Sequence, residues 1–238
     1  MEFETALQPG RLIKRYKRFL ADVTLPDGRL VTAHCANSGS MMGLKDEGSQ
    51  VWLSPNSNPK AKLDWRWELA SQGGVPVGIN TSRPNAIVAD AIEAGRIPEL
   101  TGHDSLRREV KYGQNSRIDI LLEKDGRKTY VEVKNVTLRR PDGPHPERAE
   151  FPDAVTARGA KHLNELADMV AEGHRAVMFY LVQRPDCLDF GLAEDIDPAY
   201  ISAFRAARNA GVEALCYDCD VSADGIHIRK PLPIRISD

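Results

Sequence analysis

A predicted β-hairpin in the second half of the chain constrains the fold more than any other feature. Residues 117–122 and 130–136 alternate apolar and polar side chains, and Asp125-Gly126 between them is typical of a two-residue hairpin turn. With these two residues as the turn, Asp119 lies directly opposite Glu132. The other face of the hairpin then carries four apolar residues, Ile118, Ile120, Val131 and Val133.

Two opposed carboxylates destabilise a hairpin unless something compensates for their charge. Directly paired residues have Cβ atoms about 4.5 to 5.5 Å apart, and two carboxylates near 4 Å repel by roughly 4 kcal/mol at an effective dielectric of about 20. Three compensations are open. One acid keeps its proton, or Lys134 and Arg117, paired by the same register, neutralise the charge, or a divalent cation lies between the carboxylates.

A bound metal explains more of this arrangement than a polar ladder on a solvent-facing strand, which is the alternative. Two carboxylates, with waters and a substrate phosphate, supply the oxygen ligands that Mg²⁺ prefers, and Mn²⁺ is the other candidate. Lys134 lies one pleat beyond Glu132 on the same face, where it can contact that phosphate or orient the attacking water. The hairpin therefore predicts a metal-dependent site for phosphodiester hydrolysis, with Asp119, Glu132 and Lys134 as its catalytic residues.

The rest of the chain divides into two regions with different predicted secondary structure. Residues 10–80 show only β patterns, with Pro26-Asp27-Gly28 as a turn signal. Strands are expected at 19–25, 30–34, 51–54 and 62–69. After Gly73-Gly74 and Pro76 the pattern becomes α-βββ-α-β-α-β, a mixed sheet flanked by helices. Its helices are expected at 84–94, 154–172 and 198–210, its strands at 106–110, 117–122, 130–136, 176–183 and 212–217, and a polar, proline-rich loop at 139–152.

Charge is distributed unevenly along the chain. The 238 residues carry a net charge of −2, which does not by itself indicate a nucleic-acid partner. Residues 1–84, however, hold 11 Lys and Arg against 8 Asp and Glu, a net of +3, so the remainder is −5. A basic run without acids spans residues 11–18, and it is either a solvated face or a phosphate-binding edge. Its cations are Arg11, Lys14, Arg15, Lys17 and Arg18.

The sequence favours a cytoplasmic protein without a membrane partner. The first thirty residues contain no apolar run typical of a signal peptide, and no segment approaches the roughly 20 apolar residues of a membrane helix. Of the four cysteines, only Cys216 and Cys219 are closely spaced, and no second pair stands at a zinc-site spacing. We expect reduced structural thiols.

Two resemblances extend this interpretation. Asp119, followed thirteen residues later by Glu132-Val133-Lys134 on the second and third core strands, resembles the PD-(D/E)XK nuclease superfamily, although Ile118 stands where that pattern often has proline. The stretches HCANSGSM, NTSRPN, EVKYGQNSRID, YVEVKNVTL and FPDAVTARGAKHLNEL resemble the sugar fermentation stimulation protein A family over nearly the whole chain. That resemblance implies an OB-like β-barrel over residues 1–80 and a PD-(D/E)XK nuclease-like mixed α/β domain over residues 81–238. It also implies a DNA-binding protein linked to the regulation of sugar utilisation.

The resemblance assigns roles to particular residues. It implies Asp119 and Glu132 as metal ligands and Lys134 as the catalytic lysine. A further acid from the first core helix is expected at Glu93, with Asp90 as the alternative and Glu109 on the preceding strand as another candidate. The helix after the third strand offers Lys161 and His162. Arg117 and Lys161 join the basic run of residues 11–18 as expected nucleic-acid contacts.

Two functions remain open at this point. The first is a Mg²⁺-dependent nuclease that binds single- or double-stranded DNA, without sequence preference, through the barrel and cuts it in the second domain. The second is a regulator that binds DNA on the same scaffold without cleaving it. A helix-turn-helix protein built from residues 198–217 is less favoured, because the alanines of that helix suit packing against a sheet.

Overall fold

Two regions of different architecture follow each other along the chain, in the predicted order. The computed structural model describes residues 1–58, 60–113 and 116–236. A β-barrel is followed by an α/β domain whose sheet lies between helices.

Five strands close the N-terminal barrel. β1 pairs with β2, β2 with β3, β3 with β5 in parallel, β5 with β4, and β4 again with β1, so no edge remains between the first and last strand. β6 extends the sheet beyond β5. This closed five-stranded arrangement confirms the predicted OB-like barrel. The strands are β1 (Gln8–Tyr16), β2 (Leu20–Thr24), β3 (Leu30–Cys35), β4 (Gln50–Pro55), β5 (Trp65–Gln72) and β6 (Val75–Gly78).

The barrel interior is filled by the buried half of each alternating strand. Leu12, Val23 and Leu53 contribute to one apolar cluster together with Trp67, which is fully buried and donates its indole N–H to the Leu69 carbonyl at 2.8 Å. Trp67 is thus a core residue of the barrel.

The C-terminal domain contains a six-stranded sheet in the order β15-β14-β12-β9-β8-β7, with β9, β12 and β14 parallel. α1 packs on one face, where Ile87 and Val88 join Val131, and α2 and α3 pack on the other, where Leu163 and Phe204 join Tyr130. The elements are α1 (Pro84–Glu93), β7 (Ser105–Tyr112), β8 (Ser116–Lys124), β9 (Arg127–Val136), β10 (Leu138–Arg139), β11 (Arg148–Phe151), α2 (Ala157–Ala171), β12 (Arg175–Val182), β13 (Asp189–Leu192), α3 (Pro198–Asn209), β14 (Glu213–Val221), β15 (Ile226–Pro231) and β16 (Ile234–Arg235).

The hairpin of β8 and β9 has the predicted register as far as the pair Ile120 and Val131. Beyond it the ladder stops, and the Asp119 carboxylate accepts the Val133 N–H at 2.8 Å in place of a backbone bond. The prediction that Ile118 shares a face with Ile120 is wrong. Because the strand is distorted at Asp119, Ile118 packs on the side of α2 and α3, whereas Ile120 packs on the side of α1.

One further expectation is corrected by long-range pairing. Residues 139–152 were expected to form a loop, but β10 and β11 within 138–151 join β13 and β16 in a second, four-stranded sheet. The strand predicted at 212–217 is the central strand β14, and β15 pairs with it at the edge of the main sheet. Because β13 and β16 are distant in sequence from β11, local patterns do not indicate the second sheet.

The barrel and the α/β domain are joined by specific polar contacts. The Gly78 N–H donates to the Gln183 carbonyl at 2.9 Å, and the fully buried Arg184 donates to Gln72 at 2.8 Å. On another side, Asp153 accepts from the Met41 N–H at 3.2 Å. Residues 1–3 also lie against the second domain, where the Phe3 N–H donates to the Asp224 carbonyl at 2.9 Å. These bonds hold one side of the barrel beside the carboxyl end of β9.

Candidate active site

Asp119 lies at the point where β8 separates from β9. One of its carboxylate oxygens is held by the Val133 N–H, and the other accepts from the Asn85 amide at 2.8 Å. The same Asn85 amide donates to Glu109 at 2.6 Å, and Glu109 has a left-handed backbone with a φ of 55°. This conformation is uncommon for a residue other than glycine, and such strain concentrates at functional sites.

Glu132 is buried beside two nitrogen-bearing side chains. Its Oε1 atom accepts from the Lys134 ammonium at 2.7 Å and is also in close contact with the His162 ring. Its side chain is only 3% exposed. A buried carboxylate of this kind persists as an anion only when charged or polar donors surround it.

The proton of His162 can be placed from its partners. Arg158 donates its Nε–H to His162 Nε2 at 3.2 Å, so Nε2 is the acceptor nitrogen of the ring. With Nε2 as the acceptor, Nδ1 carries a proton and donates it to Glu132 Oε1. Lys134 Nζ lies 3.2 Å from the same Nδ1. The imidazole therefore supports Glu132 and fixes its orientation toward Lys134.

The pKa values of the two carboxylates are shifted in opposite directions. Burial, together with the neighbouring Glu132, raises the pKa of Asp119 to about 6, although the Val133 N–H, Lys134 and Asn85 act in the opposite direction. Burial also acts to raise the pKa of Glu132, but Lys134 and His162 outweigh it and leave that pKa below its ordinary value. Two of the three expected compensations thus operate together: Lys134 neutralises Glu132, and Asp119 is the acid that retains its proton more readily.

The oxygen atoms of this pair fit a hard divalent cation. Among the described residues, Glu132 Oε2 is buried and has no hydrogen-bond donor, which is unfavourable for an anionic oxygen. Carboxylate oxygens are the ligands that Mg²⁺, Mn²⁺ and Ca²⁺ share. Over residues 1–58, 60–113 and 116–236, no group of three or more His, Cys, Asp or Glu side chains is placed to hold a metal. Asp119 and Glu132 would therefore supply only part of a coordination shell, and water and substrate the remainder.

Glu93 is not brought to this site. It lies exposed in the last turn of α1, eight residues after Asn85, which corresponds to about 12 Å along a helix axis. The α1 side chain that touches Asp119 is Asn85, which sequence reasoning missed. Its only signal was its place in the stretch NTSRPN, directly after Pro84 at the start of the helix.

Arg117 lies on β8 and Lys161 on α2. Arg117 is exposed on β8, where it pairs with Lys111 of β7. The prediction that Arg117 lies opposite Lys134 is wrong, because the ladder between β8 and β9 ends before that pair. Lys161 is half exposed on α2 and donates to Ser116 at 3.2 Å. Its Nζ lies 3.4 Å from Glu165.

The basic run of residues 11–18 separates into structural and exposed cations. Arg15 donates to the Arg18 carbonyl at 3.1 Å and to the Asn37 carbonyl at 2.7 Å, so it fixes the turn between β1 and β2. Lys17 and Arg18 form that turn with left-handed backbones and exposed side chains. Only the exposed members of the run are placed to meet a phosphate.

The other two cations of the run lie along β1. Arg11 donates to the Gly48 carbonyl at 3.2 Å. Lys14 lies 3.8 Å from the Asp22 carboxylate and stands over the Tyr16 ring. Both side chains remain exposed on the barrel surface.

A cleft lies between the two domains. It has a volume of about 460 Å³, and Arg18 and Asn37 line it from the barrel, while Asn135, Thr137 and Phe151 line it from the α/β domain. Asn135 directly follows Lys134 on β9. The arrangement brings the exposed turn of the barrel to the same cleft as the end of the catalytic strand.

Comparison with known proteins agrees with this two-domain architecture. Residues 13–79 match the family model of the SfsA N-terminal OB domain, and residues 82–225 match that of the sugar fermentation stimulation protein RE domain. A sugar fermentation stimulation protein homolog of Paramagnetospirillum magneticum is 56% identical over 239 residues, covering 100% of this chain and 99% of the relative. A homolog of Rhodospirillum centenum is 59% identical over 233 residues, covering 98% of each chain.

A solved structure is similar over the same extent. The structure of Pyrococcus furiosus SfsA in complex with Ca²⁺ matches with a TM-score of 0.88 and 26% identity, covering 99% of this chain and 98% of that one. The chain is thus a two-domain protein in which an OB barrel precedes an α/β domain of the RE type. It belongs to the sugar fermentation stimulation protein family. Within the described part of the chain, no helix is long and apolar enough to cross a membrane.

Proposed function

We propose that this protein is a divalent-metal-dependent nuclease that hydrolyses phosphodiester bonds of DNA, with Mg²⁺ or Mn²⁺ at Asp119 and Glu132. One observation carries the proposal. Glu132 is buried with one oxygen held by Lys134 and His162, while its other oxygen has no donor among the described residues. A cation site requires such an oxygen, which is anionic and buried without a hydrogen-bond donor and has a second carboxylate beside it.

The side chains around the carboxylates have separate tasks. A divalent ion bound there supplies charge stabilisation for the phosphate and a more acidic water. In hydrolysis, a water oxygen forms a bond to phosphorus while one ester P–O bond breaks. Lys134 donates a hydrogen bond to a phosphate oxygen as negative charge grows on it. Asn85 and the Val133 N–H orient Asp119, and His162 orients Glu132.

The Pyrococcus furiosus relative supports a hard-cation site, because that structure is described as a complex with Ca²⁺. Ca²⁺ takes oxygen ligands, as Mg²⁺ does, but accepts more of them and a looser geometry. Ca²⁺ is thus a suitable ion for measuring metal binding by this chain separately from hydrolysis.

A second candidate is a DNA-binding regulator that uses the same scaffold without cutting. It is favoured by the finding that no third acidic, histidine or cysteine ligand joins Asp119 and Glu132 within the described residues. The family name, which refers to sugar fermentation, agrees with a regulatory role. In this case the cleft and the exposed turn bind DNA, while Asp119 and Glu132 serve structure or a metal that does not support cleavage.

The test is cleavage of labelled DNA by the wild type and by Glu132→Gln, each with Mg²⁺, with Mn²⁺ and with EDTA. Gln keeps the volume and one oxygen acceptor but removes the charge. We expect metal-dependent products from the wild type and their loss, by at least about 100-fold in rate, in the variant. Glu93→Gln is the matched control, and it should cut like the wild type because Glu93 lies about two helical turns from Asn85.

Three outcomes separate the candidates. Cleavage that survives Glu132→Gln removes this residue from the mechanism. Intact DNA with measurable binding by the wild type in every metal condition supports the regulator. Loss of cleavage in Glu93→Gln as well as in Glu132→Gln would restore the prediction that Glu93 is a further acid of the site.

A further inference from the structure

The barrel carries an aromatic face that is not part of the site described above. It consists of Tyr16, Phe19 and His34 on the outer side of β1, β2 and β3. The rings of Phe19 and His34 lie nearly parallel, with an interplanar angle of 17° and centroids 6.4 Å apart. Phe19 is 46% exposed, although it is a large apolar side chain.

The backbone holds these rings in place. β2 and β3 pair Leu20 with His34, and the Cys35 N–H donates to the Phe19 carbonyl at 2.8 Å, so Phe19 is fixed at the end of the hairpin. Tyr16 donates to the Asp22 carboxylate at 3.2 Å. Ala33 and Cys35 of β3 point into the barrel, which leaves His34 between them on the outer surface, and Phe19 lies in the turn before β2.

The charge next to these rings suits a nucleic-acid strand. Lys17 and Arg18 directly precede Phe19, and both are exposed in a turn that Arg15 fixes. The acid on this face, Asp22, is engaged with Tyr16, with Thr32 at 2.9 Å and with Lys14. Aromatic rings beside exposed cations are the combination by which proteins bind single strands, because bases stack on the rings while the cations contact phosphates.

The face also adjoins the cleft between the two domains. Arg18 lines the cleft between the domains, and Asn135 on the opposite wall of that cleft is the neighbour of Lys134. Arg18 thus belongs both to the exposed turn beside Phe19 and to the cleft that the end of β9 lines.

We propose that Phe19 and His34 form a stacking platform for an unpaired base and that the substrate presented to Asp119 and Glu132 is a single strand of DNA. The inference rests on the proposed function and specifies its substrate. Only an unpaired base exposes its flat face to a protein ring, because a duplex stacks these faces against one another. The platform accordingly selects single strands without selecting a base sequence.

The experiment measures fluorescence anisotropy of labelled oligothymidylate and of a blunt duplex, both with EDTA so that no cleavage occurs. The wild type should bind the single strand more tightly. The double variant Phe19→Ala, His34→Ala should weaken single-strand binding by about 10- to 100-fold, which corresponds to the loss of one stacked base, and should change duplex binding by less than about twofold. Leu30→Ala, on the same strand as His34 and 65% exposed, is the control and should match the wild type.

Two single substitutions separate stacking from simple apolar contact. Phe19→Trp retains a ring and should retain affinity, whereas Phe19→Leu remains apolar without a ring and should lose it. The inference is overturned by equal single-strand affinity in the double variant and in Leu30→Ala. It is also overturned by a duplex that binds as tightly as the single strand, or by Phe19→Leu binding as well as Phe19→Trp.

The cleavage assay distinguishes this failure from failure of the proposed function. Metal-dependent cleavage that needs Glu132, with unchanged binding in the ring variants, leaves a nuclease whose substrate contacts lie elsewhere. Loss of single-strand binding in the ring variants, with no cleavage by any protein, keeps the platform and removes the nuclease.

Discussion

Asp119→Asn should make the metal-free protein more stable at neutral pH, which is an unusual expectation for a partly buried polar residue. Burial and the Glu132 charge raise the pKa of Asp119 from 3.8 to about 6. The folded state therefore binds this proton more tightly than the unfolded state does, and stability falls as pH rises from about 4 through about 6. A shift of about two units corresponds to about 3 kcal/mol of destabilisation above pH 7.

The neutral amide removes this penalty but changes the hydrogen bonds. The substituted side chain still offers an oxygen to the Val133 N–H, whereas its amide nitrogen faces the donating Asn85, which should cost about 1 kcal/mol. The net gain at pH 8 is thus about 2 kcal/mol. Between pH 5 and pH 8 the difference between the two proteins should widen by about 1.5 kcal/mol, because Asp119 of the wild type ionises over this range.

Urea denaturation with EDTA at several pH values from 5 to 8 measures this difference. Asp90→Asn, an exposed change on α1, is the control and should shift stability by less than about 0.5 kcal/mol at every pH. Added Mg²⁺ should stabilise the wild type and not Asp119→Asn. A difference that stays constant with pH, or a wild type that is the more stable protein at pH 8, would refute the account of Asp119 as a destabilised ligand.

Three further predictions concern the neighbours of the carboxylates and the exposed turn. Asn85→Ala removes a donor that lowers the pKa of Asp119. Ca²⁺ binding, measured by calorimetry, should therefore weaken about 10- to 100-fold, and the midpoint of its pH dependence should move to higher pH. An unchanged midpoint would count against Asn85 as a positioning residue. His162→Ala should lower the free energy of unfolding by about 1 to 3 kcal/mol and slow cleavage, because Glu132 loses the hydrogen bond from the imidazole ring. Cleavage at the wild-type rate by a folded variant would contradict the role of His162 in orienting Glu132. Lys17→Ala combined with Arg18→Ala should reduce the slope of log affinity against log salt for single-stranded DNA by about 1.4, and an unchanged slope would show that the turn does not contact phosphates.

Local sequence patterns predict those parts of the structure that are set by residues close together in the sequence. The Asp125-Gly126 turn and the alternation on either side of it fix the register of β8 and β9 as far as Ile120 and Val131, and the ladder ends before the predicted pair of Asp119 and Glu132. The same reasoning fails at Ile118. The Asp119 side chain takes the place of a backbone hydrogen-bond acceptor there, and that distortion has no signature in a periodic pattern.

The remaining parts of the site depend on how the helices sit on the sheet. Glu93 and Asn85 both lie on α1, and only the packing of the helix against β8 decides which of them reaches Asp119. Asn85 is an amide rather than an acid, so a search for metal ligands does not find it. Phe19 was assigned to a strand, and the closed barrel is needed to show that its ring remains outside. The sheet that contains β10 and β11 was not predicted, because β11 pairs with residues 189–192, which are distant in sequence.

The proposed nuclease activity is tested most sharply by comparing Mg²⁺-dependent DNA cleavage by the wild type and by Lys134→Met, with Ca²⁺ binding measured on the same preparations. Met removes the ammonium that lies 2.7 Å from Glu132 and leaves both carboxylates in place. We expect products from the wild type, retained Ca²⁺ binding in the variant, and cleavage slower by at least about 100-fold in the variant. Equal cleavage by both proteins, or intact DNA with the wild type under every metal condition, would contradict a nuclease site built on Asp119, Glu132 and Lys134.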